Sequence, residues 1–270
     1  MKRITLVMIA AFIFLAACNE RKSDTGSSES VEQTVAGGEE MVLINGGTYT
    51  SIIEMDTLEV KVDPFLMDKH EVTIREFEKF VKATGFIPQT DQPGAKPTVL
   101  VSNKIEQVEG VNWKYDERGK IRDTSEYDYP VIYVSYEDAE AYAKWAEKRL
   151  PTIYEMEYVA TKGMGEESSW NYVITSSWHA MNTRKINLPG LKDSNRLGLY
   201  DIYGNVGEHV SGKGSTFPLP PDLALEDLAR ASVSSFFDDP ENIFPPHFSM
   251  GHKKGTSFNI GFRCAKDITN

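Results

Sequence analysis

The residues with chemistry to offer crowd into one short stretch. Gly198 to Val210 reads GLYDIYGNVGEHV and brings Asp201, Asn205, Glu208 and His209 together in a glycine-rich segment. An acid beside a histidine is raw material for a metal or acid–base site, and equally for a buried polar corner. His247 and His252, in HFSMGH, can join His209 in a three-imidazole metal site, although five residues' spacing on a loop is not a defined ligand motif. Gly207 to Lys213 nearly spells a phosphate loop. Gly214 stands where Ser or Thr would hold magnesium, and no strand–loop–helix pattern surrounds it, so no nucleotide site is expected. Asp238, Asp239 and Glu241 offer carboxylates to calcium or to a solvated turn. Neither G-x-S-x-G nor H-E-x-x-H occurs. Phe236, Phe237, Phe244 and Phe248 lie among prolines in an irregular segment. There they either line a partner surface or plug core space.

The elements that must hold these residues are partly legible. Thr73-Ile-Arg-Glu76, Ser135-Tyr-Glu-Asp138 and Thr152-Ile-Tyr-Glu155 each read as a helix start, a hydroxyl followed three residues later by an acid. Behind them apolar residues recur at helical spacing: Ile74, Phe77, Phe80 and Val81; Ala139, Tyr142, Ala143 and Ala146; Ile153, Met156, Val159 and Ala160. Gly85 sits where the first helix should stop. MVLINGGTYTS reads as a strand or hairpin turned at Gly46-Gly47. Leu58 to Met67 reads as a second strand, placed near an edge by Pro64. Elsewhere Pro, Gly, Asn and Asp interrupt every pattern, which implies an irregular α+β domain.

The first residues are not part of that domain. Lys2-Arg3 precede an apolar run from Ile4 to Ala16, too short for an ordinary membrane span of ~20 residues. The run ends in Leu15-Ala16-Ala17-Cys18, which resembles a bacterial lipobox. Residues 1–17 are then a signal peptide, and Cys18 carries the acyl chains (palmitate) that anchor the protein to a bilayer. Asn19 is compatible with the outer membrane, facing the periplasm. Residues 18–40 are polar and small, a tether whose coil span is roughly 25 Å. Residues 41–270 form the domain. With Cys18 acylated, Cys264 is the other of only two cysteines, so the domain has no disulfide and no paired-thiolate metal site. Cys264 is expected to be buried as a small apolar residue. The formal charge of −11 and the lack of a basic run speak against nucleic acid.

Five stretches fall in a recognisable order: MVLINGGTYT, PFLMDKHEVTIREFEKFVKATGF, YPVIYVSYEDAEAYAKWAEKRLPTIYEMEYVA, GLYDIYGNVGEHV and NIGFRCAKD. Together, over residues 41–267, they resemble the formylglycine-generating-enzyme, or sulfatase-modifying-factor, domain family. The resemblance implies a variant of the C-type-lectin fold.

Active members of that family hold copper with two cysteines located between a GGS strand and the closing GFR. Here that interval, Gly212 to Ile260, contains no cysteine, and the GGS strand is matched by GKGST at Gly212 to Thr216. Linear Cu(I) sites want thiolates, so copper oxidase chemistry is not expected. The turn that reads GNVWEW in the family helps hold calcium, which makes Asn205 and Glu208 the implied ligands, with Asp201 at the family's usual acid. Gly207 and His209 replace the two tryptophans. The alternative is a packed turn with Glu208 bonded to backbone amides or an arginine. Lipid anchorage without the cysteine pair is closest to the gliding-motility and type IX secretion lipoproteins of the family, where the domain builds an assembly. The expected function is therefore a scaffold or interaction component that touches other envelope proteins. The alternative is a metal-dependent oxidase using His209, His247 and His252. A lectin-like carbohydrate role follows from fold analogy alone.

Overall fold

The computed structural model describes residues 40–53, 56–164, 170–212, 228–232, 235, 238–239 and 248–268, all within the unit Val31–Asn270. Cys18, Phe236, Phe237, Phe244 and His247 lie outside the described residues.

The chain starts with four strands, β1 (Met41–Ile44), β2 (Gly47–Ile53), β3 (Asp56–Val62) and β4 (Phe65–Asp68). The Gly46-Gly47 turn does not close a hairpin between β1 and β2. Instead β1 pairs antiparallel with β4, and β2 pairs with β3. Gly46 takes φ 68° with the Val62 carbonyl where its Cβ would be, only 2.3 Å away, so the turn throws the chain from one sheet to another. The stretch expected as one edge strand is two strands broken at Asp63-Pro64. Its second half, β4, is the central strand of a three-stranded sheet, between β1 and the last strand, β11 (Ala265–Asp267). Pro64 precedes the strand, so its missing N–H costs the ladder nothing.

All three helix starts form as expected. The first helix, α1 (Ile74–Thr84), has the Thr73–Glu76 capping box and ends at Gly85 in the left-handed conformation. The second, α2 (Tyr136–Trp145), is capped by Ser135 and Asp138. The third, α3 (Ile153–Met164), has Thr152 and Glu155 bonded reciprocally at 2.7 and 3.1 Å. A hairpin of β5 (Thr98–Val101) and β6 (Lys104–Gln107) lies between α1 and α2, and α4 (Trp170–Ser176) follows α3. The chain closes with β7 (Gly207–Val210), β8 (Leu228–Ser232), β9 (Phe248–His252), β10 (Ile260–Gly261) and β11 (Ala265–Asp267). Their sheet runs β10-β7-β8-β9, parallel at the first pair and antiparallel at the other two. No helix among the described residues is long and apolar enough to cross a membrane.

Burial follows the stripes read from sequence. Ile74, Phe77 and Phe80 of α1 meet Trp113, Tyr142 and Phe262, with Phe77 edge-on to Trp113 at 5.3 Å. Such ring pairs add about 0.5–1.5 kcal/mol beyond area burial. Val159 and Met156 of α3 pack on Phe65, Met67 and Leu199. Cys264 is fully buried, as expected, and its N–H donates to Asp68 at 2.9 Å. These cores clamp three separate segments together: the chain leaving β4, the turn before β7, and the run between β10 and β11.

Candidate functional site

Those three segments meet at a buried charged hub. Arg263 has a fully buried side chain and points its guanidinium at Glu208 on β7. Nε donates to both carboxylate oxygens at 3.0 and 2.8 Å, and Nη2 donates to Oε1 at 2.7 Å. Its other donors reach the carbonyls of Tyr200 (2.9 Å), Lys69 (3.3 Å) and Asp68 (3.4 Å). Burial works against the charge on Arg263, and Glu208 more than overcomes it, so the guanidinium stays protonated.

Asn205 is the second joint. Its Oδ1 accepts from Asn187 N at 2.9 Å, and its Nδ2 donates to Glu71 Oε1 at 3.0 Å. The residue has positive φ, 56°, a conformation asparagine tolerates better than most. Glu71, completely buried, leaves Oε2 without a partner, and Asp201 does the same with Oδ1. Both carboxyls are pushed up. For Glu71 burial dominates, followed by repulsion from Asp201. For Asp201 burial dominates against the N–H of Gly190, which reaches Oδ2 at 2.7 Å, and the result is about 6.

The oxygens that the resemblance offers to calcium are thus engaged. Calcium wants six to eight oxygens free to converge. Asn205 spends its carbonyl on Asn187, and both oxygens of Glu208 face a guanidinium. As folded, the pair does not fit a calcium ion. Among the described residues no group of three or more His, Cys, Asp or Glu is placed to hold a metal.

Of the three histidines, His209 and His252 are described. His209 is buried on β7, its Nε2 on the Val134 carbonyl at 3.1 Å and its ring edge-on to Tyr136. Burial pushes its pKa down to about 4. His252 is exposed on β9, and its Nδ1 accepts from Lys254 N at 3.1 Å. His209 and His252 nonetheless line one cavity of about 230 Å³. Phe248 is half-buried on β9 and packs against the core around Val159, so it is at least partly a core residue. Gly207 to Val210, the near-phosphate-loop segment, is a buried strand. Asp238 accepts from Ser235 N and Oγ at 3.0 and 2.6 Å.

A family described as the sulfatase-modifying factor enzyme 1-like domain matches residues 26–268. The chain belongs to this family. Formylglycine-generating enzyme of Bos taurus is 28% identical over 252 residues, covering 77% of this chain and 67% of the relative. A protein named inactive C-alpha-formylglycine-generating enzyme 2, also of Bos taurus, is 26% identical over 243 residues, covering 77% of this chain and 78% of the relative. The solved structure of PvdO from Pseudomonas aeruginosa superposes with a TM-score of 0.61 at 20% identity, covering 85% of this chain and 95% of that one, which shows the fold.

In this sulfatase-modifying-factor domain β7 is flanked, among the described residues, by β10 and by β8, whose sequence is LARAS. Residues 213–216 lie outside the description. Sequence reading also missed Glu71 and Arg263. The available clue was a charged residue locked inside an apolar motif, Glu71 in HEVT and Arg263 in GFRCA.

The hub sets a pH dependence. An acid whose pKa is raised on folding stabilises below its unfolded value, near 4, and loses that contribution as pH rises through the folded value. For Asp201 the window is therefore about 4 to about 6. Asp201→Asn keeps an acceptor for Gly190 N and removes the titration. Thermal midpoints taken across this window should fall less steeply with rising pH in the variant than in the wild type. Parallel curves would mean that Asp201 titrates as an exposed acid.

Proposed function

We propose that this chain is a lipid-anchored protein of the bacterial cell envelope whose domain works as a non-catalytic scaffold or interaction component. Acylated Cys18 holds it to the membrane, on the outer membrane's periplasmic face, and its partners are other envelope proteins of assembly, secretion or gliding machinery. The observation that carries the reading is the cysteine inventory. Cys264 is enclosed in the core beside Asp68, and the sequence from Gly212 to Ile260 offers no thiolate. Copper(I) in a linear sulfur site has nothing to bind there, so the residues present do not fit that cofactor. A relative of comparable coverage carries the name inactive, which supports a family member that kept the fold without the oxidation.

Two measurements test it. The mature chain, incubated with copper(I), oxygen and a cysteine-containing peptide, should yield no peptide aldehyde by mass spectrometry. Cys18→Ser should move the protein from the membrane to the soluble fraction. Aldehyde formation would overturn the non-catalytic reading, and an unchanged membrane fraction would overturn the anchor. Stoichiometric copper or iron that disappears with His209→Phe would replace this function with a metal-dependent oxidase using His209, His247 and His252.

A further inference from the structure

One stretch of this acidic chain carries the opposite charge. The chain as a whole has 29 Lys and Arg against 40 Asp and Glu. Residues 181–196, MNTRKINLPGLKDSNR, hold Arg184, Lys185, Lys192 and Arg196 against the single acid Asp193. Arg118 joins them, because its Nη2 donates to the Arg184 carbonyl at 3.2 Å. Lys192 is half-buried and the other four cations are exposed. Among the described residues none of the five is in an ion pair. Apolar groups stand between these charges. Met181 and Leu191 are 75% and 61% exposed, the two most exposed large apolar side chains of the described residues.

The backbone that presents them is tied down. Met181 N donates to His179 Nδ1 at 3.3 Å. Leu191 precedes Lys192, whose Nζ lies 4.5 Å from the centre of the Trp178 ring and donates to the Thr175 carbonyl at 2.6 Å. Asn187 N and Gly190 N fix the same segment to the hub, through Asn205 and Asp201.

Its place relative to the anchor narrows what it meets. The described chain begins at Glu40, where residues 18–39 join the domain. Lys69 holds Glu40, donating from N to its carbonyl at 3.0 Å and pairing with its carboxylate at 2.8 Å. The Lys69 carbonyl accepts from Tyr200 N at 2.9 Å, and the Tyr200 ring lies 3.7 Å from where a Cβ on Gly190 would be. Leu191 comes next. The tether therefore reaches the domain beside the cationic segment. Its coil span of about 25 Å is only modestly larger than the domain's radius of gyration, roughly 17 Å. The face next to Glu40 is thus the one held towards the bilayer.

Cations interleaved with exposed apolar side chains suit a surface of anionic headgroups. Each Lys or Arg at such a surface raises partitioning about fivefold. Acids elsewhere on the chain do not cancel this, since exposed charges beyond roughly 8 Å are screened at physiological salt. We propose that residues 181–196, with Arg118, dock the domain on the anionic lipid surface to which Cys18 anchors it. The inference rests on the lipid-anchor reading and deepens it by assigning the face that the membrane covers. An acyl anchor and a cationic patch reinforce each other. Alone, the patch binds reversibly and does not keep the Cys18→Ser chain in the membrane fraction.

The mature Cys18→Ser chain, which carries no lipid, tests the face without the anchor. It should float with vesicles of equal parts phosphatidylglycerol and phosphatidylcholine, stay behind with phosphatidylcholine alone, and be released by high salt. Arg184→Gln with Lys185→Gln should weaken binding roughly thirtyfold. Lys79→Gln with Lys82→Gln on α1 removes the same charge and should leave binding unchanged. A polarity-sensitive dye reads position, on Leu191→Cys and on Ile87→Cys, whose native side chains are 61% and 60% exposed. Cys264 is buried and escapes labelling in the folded chain. Only the dye at 191 should brighten on the anionic vesicles. No flotation with anionic vesicles, equal losses in the two charge pairs, or equal brightening at the two positions each overturns the proposal. All of these readouts use unacylated protein, so they hold or fail separately from the anchor, which cell fractionation judges.

Discussion

Replacing Arg263 by methionine should remove about 3–5 kcal/mol of stability, the usual cost of stranding one partner of a buried ion pair. For a domain of this size that corresponds to a fall of roughly 10 °C or more in thermal midpoint. The reasoning starts from the donors. Arg263 serves Glu208 on two oxygens and the carbonyls of Asp68, Lys69 and Tyr200. Methionine matches the stem but none of those contacts. Glu208 then remains on β7 with its side chain only 4% exposed and the Arg263 guanidinium gone. The double variant Arg263→Met, Glu208→Leu separates charge from packing. If the stranded carboxylate is the cause, removing it should return much of the loss, because apolar pairs of similar volume often replace buried ion pairs without penalty. A double variant no better than the single one would instead blame the three carbonyls. A single variant within about 1 kcal/mol of wild type would show that the hub is wetter than the geometry requires.

That hub also shows where sequence stops being informative. The helices were legible because everything that makes them is local. Ser135 and Asp138, or Thr152 and Glu155, are three residues apart, and the apolar stripe follows within two turns. The special character of GLYDIYGNVGEHV was legible too, from its glycines, its asparagine and its acids. Its chemistry was not, because the partners are remote. Asn205 meets Glu71 across 134 residues, and Glu208 meets Arg263 across 55. No periodicity encodes such a pairing. The resemblance offered Asn205 and Glu208 to an ion, and the alternative, a packed turn with Glu208 on an arginine, is the one found; what the sequence did not tell is that the arginine is Arg263 of the closing motif. The strand errors have the same origin. Gly46-Gly47 carries the composition of a hairpin turn, but β1 finds its partner in β4 and not in β2. A strand's neighbour is chosen by long-range burial, which a short window cannot see. The resemblance puts Gly207 and His209 where the family's turn carries two tryptophans. What fills their place needed coordinates: His209 lies against Tyr136, and Gly207 N donates to the Asn259 carbonyl at 2.8 Å.

Gly204→Ala should be the most damaging single-methyl change in the turn, costing more than about 3 kcal/mol. Two effects add. Gly204 sits at φ 85°, and an alanine forced into the left-handed region loses about 1–2 kcal/mol. The larger effect is steric, since an ideal Cβ would lie 2.0 Å from the Trp178 carbonyl oxygen and 2.8 Å from its carbon. Backbone cannot swing away as a flexible side chain can. That same carbonyl accepts Asn205 N at 3.0 Å, so any shift is passed directly to the residue that ties Asn187 and Glu71 together. Gly94→Ala is the matched control. Gly94 has φ 76°, and its added methyl meets nothing within 4 Å. It should lose only the conformational part, about 1–2 kcal/mol. Chemical denaturation of both variants reads the difference, which isolates the clash from the φ penalty. Equal losses at the two glycines would mean that the Trp178 segment yields to the methyl, and the turn would then be a soft joint around Asn205, not a rigid one.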